Sequence, residues 1–149
     1  MIAVDTNILV YAHRRDSPWH AKAAAAVRQL AEGPDAWAIP WACLHEFFAI
    51  VTHPRIYRPP TPLDFAITQG AAWLEAPGLQ LLTEGDEHWQ TLREIVLAGQ
   101  VCGPKVHDAR IAAICAQHGI DELWTADRDF SSLAGIVTKN PLLMPARSG

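Results

Sequence analysis

Apolar runs of three to five residues alternate along the chain with longer segments whose apolar positions recur at helical spacing. Ile2-Ala3-Val4 reads as a buried strand, followed by a short helix over 6–13. Ser17-Pro18 supplies an N-cap with proline at the first helical position of an alanine-rich helix reaching about residue 31, which Gly33-Pro34 stops. Trp37-Ala38-Ile39 is a second strand, and Pro40 opens a helix carrying Leu44, Phe47, Phe48 and Val51, closed by His53-Pro54. Residues 55–60 form a loop rich in Arg and Pro. Thr61-Pro62 caps the next helix, to about residue 75, and Pro77-Gly78 ends it. A third strand spans 79–82, and a helix over 86–100 sets Trp89, Leu92, Ile95 and Val96 on one side. A helix over 104–118 ends at Gly119 in the C′ position. Residues 122–125 are a fourth strand and 135–138 a fifth. Short strands alternating with helices predict an α/β fold with a parallel sheet. No repeat or low-complexity linker divides the chain, so one domain over 1–149 is expected, with 144–149 a frayed tail.

Composition narrows the class without deciding it. Half of the 149 residues are apolar and 19% are charged, a balance suited to one soluble hydrophobic core. The opening MIAVDTNILVYAHRRD has a short apolar stretch broken by Asp5, Thr6 and Asn7, with no basic segment before it. No segment reaches the run of about 18 apolar residues that a membrane helix needs, and a cytoplasmic protein is expected. Cys43, Cys102 and Cys115 are odd in number and widely spaced, which does not suggest a disulfide framework. Cys115 and His118 form a C-x-x-H pair, but no second pair completes a zinc site. A net charge of −4 argues at first against nucleic acid. If several acids gather around divalent cations, the remaining surface is close to neutral, so the placement of the acids matters more than their sum.

That placement is informative. Asp5 follows the first strand directly and Asp127 follows the fourth by two residues, so two strands deliver carboxylates to one edge of the sheet, where open α/β sheets form their sites. Glu46 has Ala42, Cys43, Ala49 and Ile50 as helical neighbours, and Asp108 has Pro104, Lys105, Ile111 and Ala112, so both sit among small or apolar residues. Each acid also has a structural reading: Asp5 as an N-cap, Glu46 as a surface residue, Asp108 paired with Lys105 or Arg110, and Asp127 and Asp129 folded onto their own loop. Those readings leave the shared edge to chance. Acids without surrounding cations suit Mg²⁺ or Mn²⁺, hard ions that take oxygen ligands and bind phosphates, and imply phosphodiester hydrolysis.

Four segments in this order resemble the PIN domain: Asp5-Thr6-Asn7 after an apolar strand, Glu46 in the third helix, His107-Asp108-Ala109 opening a helix, and Thr125-Ala126-Asp127-Arg128-Asp129-Phe130 after the next strand. Length and element order are similar to VapC toxins of bacterial VapBC toxin–antitoxin pairs over nearly the whole chain. The resemblance implies a three-layer α/β/α sandwich with a mostly parallel five-stranded sheet, a homodimer, and an endoribonuclease dependent on Mg²⁺ or Mn²⁺. It carries a catalytic, metal-binding quartet onto Asp5, Glu46, Asp108 and Asp127. Thr6 and Thr125 match hydroxyls that support the acids or their water, Asp129 matches an accessory acid, and Asn7 steadies the first loop. It also implies a VapB-like antitoxin as partner and RNA as substrate.

Arg14, Arg15 and Lys22, with Arg55 and Arg58, are candidate RNA contacts, against the alternative of an ordinary solvated face. Tyr57 stacks a base or packs its loop, and the six tryptophans are assigned to the core and a dimer interface. Two rival functions stand beside the nuclease. An inactive PIN fold that binds RNA or protein would be expected to have lost an acid, and all four are present. A phosphatase with an aspartate nucleophile commonly uses D-x-D at the first strand, where this chain has Asp5-Thr6-Asn7.

Overall fold

A computed structural model describes residues 1–145. Five strands, β1 (Ile2–Val4), β2 (Trp37–Pro40), β3 (Leu79–Leu82), β4 (Glu122–Trp124) and β5 (Thr138–Lys139), form one sheet in the order β3-β2-β1-β4-β5. Every pairing is parallel. Six helices connect them: α1 (Thr6–His13), α2 (His20–Glu32), α3 (Trp41–Val51), α4 (Leu63–Leu74), α5 (His88–Gly99) and α6 (Lys105–Gln117).

Right-handed crossovers put α1 to α4 on one face of the sheet and α5 and α6 on the other. The packing agrees: α1 lies against α2 and α3, and α5 against α6. The chain runs from β1 outward through β2 to β3, then returns to place β4 on the other side of β1. β1 and β4 are therefore the topological switch point, where a crevice opens at the carboxyl ends of the strands. Ala3, Val4, Ala38, Ile39 and Leu123 are fully buried, as strands covered on both faces require.

The sequence reading is corrected at several boundaries. Ser17 does not cap α2; its Oγ accepts from Trp19 N in a separate turn, and the helix begins at His20. Thr61 does not cap α4 through its side chain, because its hydroxyl faces His13 and Arg14. α5 begins at His88, and Trp89 points to solvent rather than joining the apolar side with Ile95. β5 begins three residues later than expected, at Thr138–Lys139, since Gly135 stands in a turn with φ 86°. α6 ends as foreseen: Gly119 adopts φ 63°, Gly119 N donates to Ala116 O and Ile120 N to Cys115 O. Of the expected tail 144–149, residues 146–149 lie outside the described residues.

Candidate active site

Asp5 is the first residue beyond β1, and its backbone N–H still belongs to the ladder, donating to Trp124 O at 3.0 Å. Its side chain turns into α1 as the N-cap, with Oδ1 accepting from Thr6 N at 2.8 Å. The capping reading is thus correct, and it leaves Oδ2 for other partners. Thr125 Oγ1 donates to that oxygen at 2.8 Å, and Asn7 Nδ2 approaches it at 3.4 Å.

Thr125 is the first residue beyond β4 and is buried. Its hydroxyl oxygen also accepts from Asn7 Nδ2 at 3.1 Å and from Asp127 N at 3.0 Å. Asn7 Oδ1 accepts from Ala126 N at 3.1 Å, so one amide ties the loop after β1 to the loop after β4. Thr6 reaches the other way, its Oγ1 donating to Glu46 Oε2 at 3.1 Å. The three polar residues named from the sequence therefore fix the acids' relative positions.

Asp127 caps the 3-10 turn that follows, Oδ1 accepting from Asp129 N at 2.8 Å. Carboxylate oxygens of Asp108, Asp127 and Asp129 lie within 4.8 Å of one another. The tightest convergence thus includes Asp129, which the sequence had ranked as accessory, while Asp5 and Glu46 stand as a second pair bridged by Thr6. Glu46 is exposed rather than set among apolar residues. Asp108 has neither proposed cationic partner: among the described residues, Arg110 pairs with Glu84 and no ion pair involves the clustered acids.

The electrostatic consequence is direct. Burial, then repulsion from Asp127, Asp5, Asp129 and Glu46, pushes the Asp108 carboxyl from 3.8 up to about 6. Burial also raises Asp5, against the opposing effect of donors from Thr125, Thr6 and Cys43, with Glu46 adding repulsion. Three or more carboxylate oxygens meeting without a cation are a donor set that fits a hard divalent ion.

Asp5, Glu46, Asp108 and Asp129 line a cleft of about 640 Å³ at the carboxyl edge of the sheet, between α3 and the start of α6. Its walls carry His45, Lys105 and His107, none of which the sequence marked as a candidate contact. Ala42 and Ala49, one turn either side of Glu46, keep the α3 wall low, and that small-acid-small spacing was the available signal. Cys43 is buried beneath this wall, and its Sγ donates to Asp5 Oδ1 at 3.5 Å.

The basic candidates separate. Arg14 is engaged within the protein: it grips Asp16 through Nε and Nη2, donates to Thr61, and lies 4.2 Å from the Tyr57 ring centre. Tyr57 accordingly packs its loop. Lys22 donates to Leu142 O and lines a groove with Met1 and Asp35 at the amino end of the sheet, away from the acids. Arg15, Arg55 and Arg58 are exposed. Trp37, Trp73 and Trp124 are core residues as expected, whereas Trp19, Trp41 and Trp89 are exposed.

The family model of the PIN domain matches residues 2–136. The chain is 29% identical to Ribonuclease VapC48 of Mycobacterium tuberculosis, over 92% of this chain and 94% of the relative. It is 32% identical to VapC ribonuclease Mb2897 of Mycobacterium bovis, over 95% of this chain and 96% of the relative. Among solved structures it is similar to Mycobacterium tuberculosis VapC20, a Sarcin-Ricin loop cleaving toxin, with a TM-score of 0.68 and 19% identity over 92% of this chain and 97% of that one. It is also similar to a chain of VapBC2 from Rickettsia felis bound to a promoter DNA fragment, with a TM-score of 0.70 and 18% identity over 94% and 98%.

Proposed function

The chain belongs to the PIN domain family, and we propose that within it this protein is a metal-dependent endoribonuclease, the toxin of a toxin–antitoxin pair. The observation that carries the reading is the convergence of Asp108, Asp127 and Asp129 beside Asp5 and Glu46, at the switch point, with no ion pair to any of them among the described residues.

In this reading Asp5, Glu46, Asp108 and Asp127 are the catalytic acids and, with Asp129, would hold Mg²⁺ or Mn²⁺. The ion, when bound, supplies Lewis acidity toward a phosphodiester and stabilises charge on the attacking and leaving oxygens. The chain's own residues do the rest. Asp5 Oδ2 is held toward the cleft by Thr125, so its lone pairs are preorganised. Glu46, exposed on the α3 wall with Oε2 steadied by Thr6, has Oε1 free to take a proton from an attacking water. Asn7 fixes the spacing between the two strand-end loops. Lys105 on the α6 wall, together with the exposed Arg15, Arg55 and Arg58, meets the phosphate backbone.

The whole chain is one such domain, acting as a homodimer in the cytoplasm. Its partner is a VapB-like antitoxin that places a basic side chain in the acidic cleft, where a guanidinium matches carboxylates in a bidentate way. No helix among the described residues is long and apolar enough to cross a membrane.

The test is cleavage of RNA with Mg²⁺ or Mn²⁺, with excess EDTA, and by Asp5→Asn and Asp108→Asn proteins. Cleavage lost in EDTA and reduced by orders of magnitude in both variants supports the reading. Full activity in EDTA or in Asp5→Asn overturns it, and RNA binding without any cleavage points to an inactive fold. Expression alone should arrest growth, and co-expression of the partner should relieve the arrest; harmless expression of a protein that cuts RNA removes the toxin role.

A further inference from the structure

Next to the cleft-lining Ala42 stands a partly exposed tryptophan, Trp41. Trp41 is the first residue beyond β2, at the same carboxyl edge of the sheet as Asp5 and Thr125, and it is 38% exposed. One helical turn later comes His45, with ring centres 5.9 Å apart and planes tilted by 36°. His45 in turn lines the cleft together with Asp5, Glu46 and Asp108. Trp37, Trp73 and Trp124 sit in the core, whereas Trp41 adjoins the lining residues Ala42 and His45 without itself lining the cleft.

Resting on the ribonuclease reading, we propose that Trp41 and His45 form a nucleobase platform that sets the position of the cut. A phosphodiester seated among the acids has its flanking nucleotides within one nucleotide's reach of the α3 wall. An unpaired base there finds a planar aromatic surface at the rim and a second ring, His45, between that surface and Glu46. Stacking accepts any base because every base has a π-face, so the platform holds the strand in register while wall residues discriminate among sequences. Trp41 touches the substrate away from the reacting atoms; its contribution is to binding and positioning.

The experiment starts by mapping the sites that wild-type protein cuts in a pool of unstructured RNA oligonucleotides. The preferred oligonucleotide is then made with an abasic residue on either side of the cut bond. Wild type, Trp41→Ala, Trp41→Phe and His45→Ala are compared on each, with thermal melts and elution volume recorded. Trp41→Ala should raise KM roughly 5- to 150-fold on the intact RNA with kcat little changed, and Trp41→Phe should recover most of the loss. One of the abasic substrates should cost wild type a similar factor and cost Trp41→Ala nothing further. Additive losses from the variant and the abasic residue would overturn the platform, as would unchanged KM. A Trp41→Ala protein with a smaller oligomeric size would assign the indole to a subunit interface instead. If Trp41→Ala fails to fold, Trp41→Phe and His45→Ala on the abasic substrates give the same reading. Failure of wild type to cut any RNA removes the ribonuclease reading itself, independently of every Trp41 arm.

Discussion

Thr125 Oγ1 donates to Asp5 Oδ2 at 2.8 Å, so the residue after β4 holds the residue after β1 across the switch point of the sheet. The same oxygen accepts from Asn7 Nδ2 and Asp127 N. Thr125→Val keeps the shape, removes one donor, leaves the part-buried Asp127 N–H unmet and leaves Asn7 Nδ2 only its longer bond to Asp5 Oδ2. We expect it to cost about 1–3 kcal/mol of stability and to lower cleavage because Asp5 is no longer aimed. Thr125→Ser should restore both. Denaturant melts and single-turnover cleavage of the three proteins check this; a Val variant with wild-type activity would remove Thr125 from the positioning network.

Asp127 and Asp129 are separable by the same kind of substitution. Asp127 is half-buried and its Oδ1 accepts from Asp129 N, a bond an asparagine also makes, so Asp127→Asn removes charge and little else. Asp129 is exposed. Asp127→Asn should therefore cost orders of magnitude in cleavage and weaken Mn²⁺ binding more than Asp129→Asn does. Because Asp129 shares the tightest convergence with Asp108, its own loss should still be measurable in a metal titration. If Asp129→Asn alone abolished cleavage while Asp127→Asn retained it, the roles of the two acids would be exchanged.

Most of the fold was legible because local signals agreed with one another. Ile2-Ala3-Val4, the proline before α3 and Gly119 after α6 each mark an end that the tertiary structure keeps. Boundaries failed where a polar side chain served another partner: Ser17 accepts from Trp19 N in its own turn. Thr61 looked like a cap, but His13 and Arg14 take its hydroxyl from the far side of the chain. The acids were legible as strand-end residues, and their convergence followed from topology. What spacing could not convey was the division into Asp108-Asp127-Asp129 and Asp5-Glu46, because that depends on which oxygen Thr6 and Thr125 bind. That Arg14 and Lys22 bind within the protein was not legible either, because charge in a sequence carries no record of its partner.

Arg14 illustrates the point and can be tested against it. Its guanidinium joins Asp16, Thr61 and the Tyr57 ring, tying the end of α1 to the loop before α4. Arg14→Ala should lower stability by about 1–2 kcal/mol through lost packing and hydrogen bonds, with KM for RNA unchanged. Alanine at Arg15, Arg55 or Arg58 should do the reverse, raising KM and flattening its salt dependence with little effect on melting. A large KM effect from Arg14→Ala in a protein of undiminished stability would return Arg14 to the substrate.

Metal and protons should compete for Asp108. Its folded-state value of about 6 stands above the ordinary 3.8, so the fold holds this proton more tightly than the unfolded chain does. The stabilising contribution of that proton is complete below about pH 3.8 and is lost as pH rises through about 6. Glu84 runs the other way: Arg110 holds it at about 2, and its contribution is complete above about pH 4.5 and is lost as pH falls from there through about 2. Comparing wild type with Asp108→Asn cancels Glu84 and isolates the cluster. Without metal, Asp108→Asn should melt higher than wild type above pH 6, and the gap should close toward pH 4. Asp5→Asn should give no such gain, because Thr6 N, Thr125 Oγ1 and Asn7 Nδ2 all donate to Asp5 and an amide nitrogen among them is mismatched. Metal bound only by the folded state adds about 2.7 kcal/mol at a hundredfold excess over its dissociation constant. Mn²⁺ should therefore raise the wild-type Tm at pH 7, raise it less at pH 5, and move Asp108→Asn little at either. Melts of both proteins at the two pH values, with and without Mn²⁺, decide the matter. A wild-type Tm unmoved by Mn²⁺ at pH 7, with saturation confirmed independently, would mean that the five acids do not form one strained cluster.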